Sequence, residues 1–169
     1  LLSHLRVASR RMSEAEIHYY LLLAMFLLAG IVFAATGLIT VPYGRHEAKP
    51  GRRLAVPERV GWLIMEAPAW LGFYLVFRMG ARAGELLPTV FLVMWMAHYV
   101  HRGVVYPLRT RVPKGKKITI LWVVTPGFLF NSLNAYLVAR WISELGPGYE
   151  TRWLWSFRFL YGVLLFSTG

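Results

Sequence analysis

The stretch that decides the fold covers residues 86–106 and reads LLPTVFLVMWMAHYVHRGVVY. Its first part is apolar and uncharged, and it closes on the cluster His98-Tyr99-Val100-His101-Arg102. An α-helix needs about 20 mostly apolar residues to span a bilayer. Ionisable groups are expensive in hydrocarbon, so those found there usually face a cavity and serve a function. The stretch therefore predicts a membrane-spanning helix with a functional cluster near one end.

Four further stretches are also long, apolar and nearly free of charge. The chain is rich in Phe, Trp and Tyr as well, and this composition is typical of membrane proteins. Together the stretches predict an all-α, polytopic transmembrane helical bundle with five spans, at residues 19–41, 60–77, 86–106, 118–139 and 153–169. Residues 1–18 are mixed and predict a surface or interfacial segment. Within it, Ser13-Glu14-Ala15-Glu16 has the spacing of a capping box, so a helix is expected to begin there.

Basic residues exceed acidic ones by 19 to 8, an excess that can indicate nucleic-acid binding. Here Lys and Arg are concentrated in the loop between the first two spans and in the loop between the third and fourth. The positive-inside rule places both loops in the cytoplasm and the N-terminus outside. We therefore predict a multi-pass protein of the endoplasmic reticulum membrane, or of the inner membrane if bacterial. Its expected partner is lipid and not nucleic acid, and its expected state is a monomer.

One carboxylate interrupts the second span. Glu66 lies seven residues inside that span, counted from Arg59, and Tyr99 lies seven residues inside the third span, counted from Tyr106. With a rise of about 1.5 Å per residue, both are about 10 Å deep. Adjacent antiparallel helices would bring them to the same level, so the sequence predicts one shared site.

Each of these residues also has a structural interpretation. Tyr99, Arg102 and Tyr106 form one stripe on a helix, which suits either a functional site or an interfacial belt. Glu66 can be neutralised by protonation or by a structural partner such as Arg102. Asn131 and Asn134, in the fourth span, can face a ligand or simply link neighbouring helices.

Several kinds of chemistry are excluded or disfavoured. The chain has no Cys, which excludes disulfides, thiolate catalysis and thiolate metal sites. His98 and His101 lack the further ligands that a metal centre needs, so no metal is predicted. There is no Asp and no nucleophile elbow for a serine triad. Gly146-Pro147-Gly148 lacks the third glycine of a dinucleotide-binding fingerprint.

In order along the chain, several motifs resemble those of the steroid 5α-reductase family. They are Tyr43-Gly44-Arg45-His46, Glu66-Ala67-Pro68-Ala69-Trp70, His98-Tyr99-Val100-His101-Arg102 with Tyr106, Phe130-Asn131-Ser132-Leu133-Asn134-Ala135-Tyr136, and Arg158-Phe159-Leu160-Tyr161-Gly162. The resemblance covers nearly everything from Tyr43 onward. It implies a seven-span membrane reductase whose N-terminal five spans correspond to this chain. Most of the residues that hold NADPH in the family are expected beyond Gly169.

The resemblance also implies an activity and a set of site residues. The implied reaction is NADPH-dependent reduction of the C4–C5 double bond of a 3-oxo-Δ4-steroid or a related enone lipid. Glu66 and Tyr99 would hold the substrate's carbonyl oxygen. The residues expected to bind the substrate are Trp62, Met65, His98, Asn131 and Asn134. Those expected to contact the cofactor are Arg102, Tyr106 and Arg111. Met65 stands where the family often has Gln, so the substrate preference is open.

The chemistry of the reaction agrees with these residue types. Hydride addition to an enone develops negative charge on the carbonyl oxygen, where preorganised donors lower the barrier most. A tyrosine hydroxyl is such a donor. Two other classes remain open: a non-catalytic membrane protein, such as a transporter or an assembly subunit, in which Glu66 and Arg102 form a structural pair, and a membrane methyltransferase.

Overall fold

The computed structural model describes residues 11–38 and 54–168. The chain divides into two compact units, at residues 1–40 and 41–169, and each is described by itself.

The first unit contains one long helix, α1, at Glu14–Leu38. Its start is the predicted capping box: the Ser13 amide donates to Glu16 Oε2 at 2.8 Å, and the Glu16 amide donates to Ser13 Oγ at 3.2 Å. The capping-box prediction is therefore confirmed. Almost every side chain of α1 is exposed within this unit although the helix is strongly apolar. Such a helix needs an apolar environment around it, as a bilayer provides.

The described part of the second unit contains four main helices and confirms the predicted all-α fold. They are α2 at Glu58–Arg78, α3 at residues 86–109, α4 at Ile120–Leu145 and α5 at Phe157–Thr168. Of the described helices, α1, α2 and α4 are long and apolar enough to cross a membrane. The helix α5 is a shorter apolar one, and α3 carries the predicted cluster of His and Arg in its second half.

The stretch predicted as the fifth span, residues 153–169, contains two elements. A short 3₁₀ helix, Thr151–Trp155, is followed by Ser156 in an extended conformation, and α5 begins only at residue 157. Ser156 Oγ accepts a hydrogen bond from the Phe159 amide at 3.2 Å and so caps α5. The last residue of the predicted span, Gly169, lies outside the described residues, as does everything expected beyond it.

The three longest helices of this unit are widened by π-helical turns. These lie at Pro68–Gly72 in α2, His101–Val105 in α3, and Ile120–Val124 and Trp141–Leu145 in α4. Pro68 begins the first of them, and a proline lies two residues after the end of each of the other three. Proline has no amide hydrogen and its ring clashes with the preceding turn, so the helix must adjust locally. Such π turns often occur at functional sites.

The helices α2 and α4 run in parallel, and α3 runs antiparallel to α2. A core cluster joins α2 to α4 through Phe73, Phe77, Ala135 and Ala139, all of them buried. The small side chains of the two alanines let the helix backbones approach closely, which is a common way of packing helices in membranes. A second cluster, nearer the start of both helices, contains Met65, Ile118, Val123 and Val124.

A two-stranded antiparallel ribbon precedes α2 and α4, and it was not predicted. Strand β1, Ala55–Pro57, pairs with β2, Lys117–Thr119, so that Ala55 lies opposite Thr119. The fourth helix accordingly begins at Ile120 and not at residue 118, and it ends at Leu145 and not at 139. Each strand has only three residues, too few for an alternating pattern to be recognised in the sequence.

The loop between α2 and α3 is held against the far end of α4. The amide of Ala81 donates to Glu144 Oε2 at 2.6 Å, and the amide of Arg82 donates to the Ser143 carbonyl oxygen at 3.0 Å. A Cβ atom at Gly80 would lie 2.5 Å from the same carbonyl oxygen. Close backbone contact thus fixes where α2 ends relative to α4.

Candidate functional site

Glu66 is the central residue of the candidate site. It lies in α2, two residues before Pro68, and only 1% of its surface is exposed. Its Oε1 accepts a hydrogen bond from Arg102 Nε at 3.1 Å, whereas Oε2 is buried and has no partner among the described residues. A buried carboxyl oxygen without a partner is costly, because it has lost its hydration. Glu66 therefore has one oxygen fixed by a cation and one available to a ligand.

Arg102 belongs to the π turn of α3, and 54% of its side chain is exposed. Its nearest partner is Glu66, so the structural pair considered from the sequence is present. Because Arg102 is exposed and Glu66 is buried, their ion pair lies at the boundary between the buried site and solvent. Arg102 was expected at the cofactor, and its solvent-exposed side remains open for that contact.

Tyr99 is positioned by a column of stacked aromatic rings. Its ring lies 4.5 Å from that of Trp95, which in turn lies 4.4 Å from the buried ring of Phe73. The Trp95 indole also donates to the Ala69 carbonyl oxygen at 2.6 Å and so joins α3 to α2. Tyr99 is three residues before Arg102 on α3, and Arg102 contacts Glu66 on α2. The structure thus brings Glu66, Tyr99 and Arg102 together at one level of the antiparallel pair.

Two residues to which the sequence gave no role complete this contact. A Cβ atom at Gly103 would lie 2.9 Å from Glu66 Cβ and 3.2 Å from Trp70 Cδ1. Only glycine allows α3 to approach α2 this closely. A glycine beside the charged cluster of an apolar helix is itself a signal of close helix contact. Trp70 gives no such signal, because an aromatic residue on an apolar helix is ordinarily core or lipid-facing.

The residues expected at the substrate divide into two groups. Asn131 is buried and its side-chain amide donates to the Met65 carbonyl oxygen at 2.8 Å, so it links α4 to α2. Met65 is buried beside Gly127, and Trp62 packs against the same cluster. Asn134 is half-buried. His98, by contrast, is exposed on α3, with its ring 5.7 Å from that of Phe166 in α5.

The residues expected at the cofactor lie towards the start of α2 and the end of α3. Tyr106 is 57% exposed and lines a small cavity of about 100 Å³ together with Arg59 and Thr110. Arg111 is exposed just beyond α3. The cavity is far too small for a dinucleotide, but exposed cations at this end of the bundle suit phosphate groups.

Two parts of the expected site cannot be placed. Tyr43, Arg45 and His46, which belong to the first motif, lie outside the described residues. The further cofactor residues expected beyond Gly169 belong to no part of this sequence. The assignment of the cofactor therefore depends on Arg102, Tyr106 and Arg111 alone.

Comparisons with known proteins point to one group of relatives. No protein-family model matches the chain. It is 30% identical over 158 residues to the steroid 5-alpha-reductase DET2 of Solanum lycopersicum, an alignment that covers 93% of this chain and 61% of that protein. The protein of the same name from Arabidopsis thaliana is 35% identical over 136 residues, 78% of this chain and 51% of the relative.

A mammalian relative gives the same result. The 3-oxo-5-alpha-steroid 4-dehydrogenase 1 of Mus musculus is 35% identical over 145 residues, which are 84% of this chain and 54% of that protein. The chain thus spans about half to three-fifths of the length of the curated relatives it matches. Over the part it spans, the chain is a homologue of the steroid 5α-reductases, and the family resemblance predicted from its motifs is confirmed.

Proposed function

We propose that the protein is an integral-membrane, NADPH-dependent reductase of the C4–C5 double bond of 3-oxo-Δ4-steroids or related enone lipids. The observation that carries the proposal is the convergence of Glu66, with its free buried oxygen, and Tyr99 at one site between α2 and α3. Homology to proteins named as steroid 5-alpha-reductases supports the reaction class.

The two side chains act on the oxygen of the substrate's ketone. When the β-carbon of the enone receives hydride, the electrons of the double bond shift and the oxygen gains negative charge. Transfer of a proton from water to the α-carbon then completes the reduction and leaves hydroxide, which solvent buffers. Tyr99 donates its hydroxyl hydrogen to that oxygen. Glu66 accepts from Arg102 through Oε1, and in its protonated form it would donate from Oε2 to the same ketone oxygen. Each preorganised donor of this kind typically contributes about 10²–10³ in rate.

A nicotinamide dinucleotide phosphate supplies the hydride when it is bound. Arg102, Tyr106 and Arg111 are the residues of this chain that we assign to holding it. Arg102 is suited to this role because it is fixed on one side by Glu66 and solvent-exposed on the other. A guanidinium held in place loses less freedom when it binds a phosphate than a free side chain does.

Substrate binding is assigned to Trp62, Met65, His98, Asn131 and Asn134. The Asn131 amide supports the position of Met65 through its backbone carbonyl, so we assign it an indirect effect on the substrate. The His98 ring lies 4.9 Å from that of Tyr99 and 5.7 Å from that of Phe166, and we assign His98 to the boundary of the site towards α5. We further propose that α3 and α5 cross the membrane with the other helices and that the N-terminus is lumenal.

A second candidate is favoured by one observation. The Arg102–Glu66 ion pair is what a non-catalytic helical membrane protein would use to neutralise a buried carboxylate. In that case the pair would stabilise the fold and Tyr99 would have no chemical role. The unpartnered Glu66 Oε2 argues for the reductase, because a purely structural pair has no need of an unsatisfied oxygen.

Turnover of a 3-oxo-Δ4-steroid with NADPH, by the complete protein with the segment expected beyond Gly169, reconstituted in lipid, separates the two candidates. We expect Tyr99→Phe to lower kcat by about 10²-fold and Glu66→Gln by at least about 10-fold, because each variant loses or weakens a donor. Matched controls are Tyr74→Phe and Glu85→Gln, whose side chains are exposed, and both should match the wild type. If Tyr99→Phe and Glu66→Gln fold and keep the full rate, the assigned roles are wrong.

A further inference from the structure

Two buried polar atoms close to each other in the bundle have no hydrogen-bond partner among the described residues. One is Glu66 Oε2 and the other is the indole Nε1 of Trp70. The neighbouring indole of Trp95 shows how such a group is normally satisfied, since it donates to the Ala69 carbonyl oxygen at 2.6 Å. A buried donor left unpaired costs about 1–3 kcal/mol. The unpaired Trp70 N–H is therefore expected to have a partner that binds to the protein.

Both atoms belong to side chains that border the same residue of α3. A Cβ atom at Gly103 would lie 2.9 Å from Glu66 Cβ and 3.5 Å from Trp70 Nε1. Glu66 and Trp70 are four residues apart on α2, and the π turn that begins at Pro68 includes Trp70. The indole N–H and the free carboxyl oxygen thus lie at the same contact of α2 with α3, next to the residue that follows Arg102.

We propose that the Trp70 indole N–H is a third donor to the carbonyl oxygen of the substrate, beside Tyr99 and Glu66. This inference rests on the proposed function and adds a residue to its site. An indole N–H donates only and stays neutral, whereas a carboxyl donates only while it is protonated. Trp70 therefore supplies a hydrogen bond that does not depend on the protonation of Glu66. It keeps its hydrogen throughout, and no bond of Trp70 is made or broken.

The charge pattern at this contact favours a ketone oxygen as the ligand atom. An indole N–H only donates, so a ligand atom that pairs with the buried Trp70 Nε1 must be an acceptor. A ketone oxygen has two lone pairs, and it gains the capacity for a third hydrogen bond as it becomes negative in the transition state. A donor aimed there stabilises the transition state more than the ground state, and this raises kcat more than it lowers KM.

The test combines turnover with the infrared carbonyl band of a bound, ¹³C-labelled 3-oxo-Δ4-steroid, recorded without cofactor. Trp70→Phe keeps an aromatic ring and removes the N–H. We expect it to lower kcat by about 10- to 100-fold with a smaller change in KM, and to move the carbonyl band of the bound steroid to higher frequency. Trp155→Phe, at a tryptophan that is 80% exposed, is the matched control and should change neither.

The outcomes separate this inference from the proposed function. If the wild type reduces the steroid and Trp70→Phe leaves both kcat and the band unchanged, the inference is wrong and the proposed function stands. If the wild type binds the steroid without turnover and Trp70→Phe still shifts the band, the reductase proposal fails and the donor assignment holds. Should Trp70→Phe fold poorly, benzothienylalanine at position 70 keeps the two-ring shape without the N–H. A rate and band equal to the wild type in that variant overturn the inference.

Discussion

Replacing Gly103 by Ala tests the close contact on which the candidate site depends. The new Cβ would lie 2.9 Å from Glu66 Cβ and 3.2 Å from Trp70 Cδ1. Carbon atoms in optimal contact are about 3.5–4.0 Å apart, so α3 must move away from α2 by about 0.6–1.1 Å. Overpacking of this kind typically costs about 1–3 kcal/mol. Alanine recovers about 1 kcal/mol in a helix relative to glycine, which leaves a net loss of up to about 2 kcal/mol.

The measurement is thermal unfolding in detergent together with steroid turnover in lipid. A loss of up to about 2 kcal/mol lowers Tm by up to about 8 °C for a chain of this size. The displacement also separates Glu66 from Arg102 and Tyr99, and a misplacement of about 1 Å can lower the rate by about 10²-fold. We therefore expect Gly103→Ala to lose far more activity than its modest loss of stability would explain.

Gly72→Ala is the matched control, on the partner helix of the same pair. There the nearest atom to a new Cβ is Pro68 Cβ at 3.7 Å, an ordinary contact. This variant should be as stable as the wild type or slightly more stable, and it should keep its activity. If Gly103→Ala behaves like Gly72→Ala in both measurements, α2 and α3 are not packed as closely as described, and the geometry proposed for the site cannot hold.

Two further predictions concern the polar contacts. Arg102→Gln leaves the buried Glu66 without its cation and should lower the free energy of unfolding by about 1–3 kcal/mol. In a double-mutant cycle, adding Glu66→Gln should recover part of that loss. Simple additivity of the two single losses would show that the pair is not coupled. Asn131→Leu removes the hydrogen bond to the Met65 carbonyl oxygen and should destabilise by about 1–3 kcal/mol, measured by thermal unfolding. Asn134→Leu, at the half-buried asparagine one turn away, should have a smaller effect, and equal losses would contradict the assigned link between α4 and α2.

Much of the fold could be predicted because membrane helices are marked by long apolar runs. The level shared by Glu66 and Tyr99 was also predictable, since the rise of a helix converts sequence distance into depth. The ribbon of Ala55–Pro57 with Lys117–Thr119 could not be predicted, because its two strands are short and far apart in sequence. The hydrophobic periodicity of the sequence does not reveal which distant strands pair.

The sequence offered candidate site residues, but it left the contacts among them open. The sequence offered Arg102 as a cofactor residue or as a partner of Glu66, and only the packing of α3 on α2 shows that the pair forms. It offered Asn131 as a ligand contact or a helix link, and the bond to Met65 assigns it the second role in this structure. Gly103 and Trp70 received no role, because their importance comes from a distance between two helices. Residue types alone do not reveal such a distance.

The ribbon between β1 and β2 has a consequence for how the protein is assembled. Its strands are separated along the chain by the whole of α2 and α3, so the second strand is synthesised only after that helical hairpin is complete. Until then, nothing ties the beginning of α2 to that of α4. The offset of α2 against α4 can therefore be set only after Lys117–Thr119 and the helix that follows it have been synthesised.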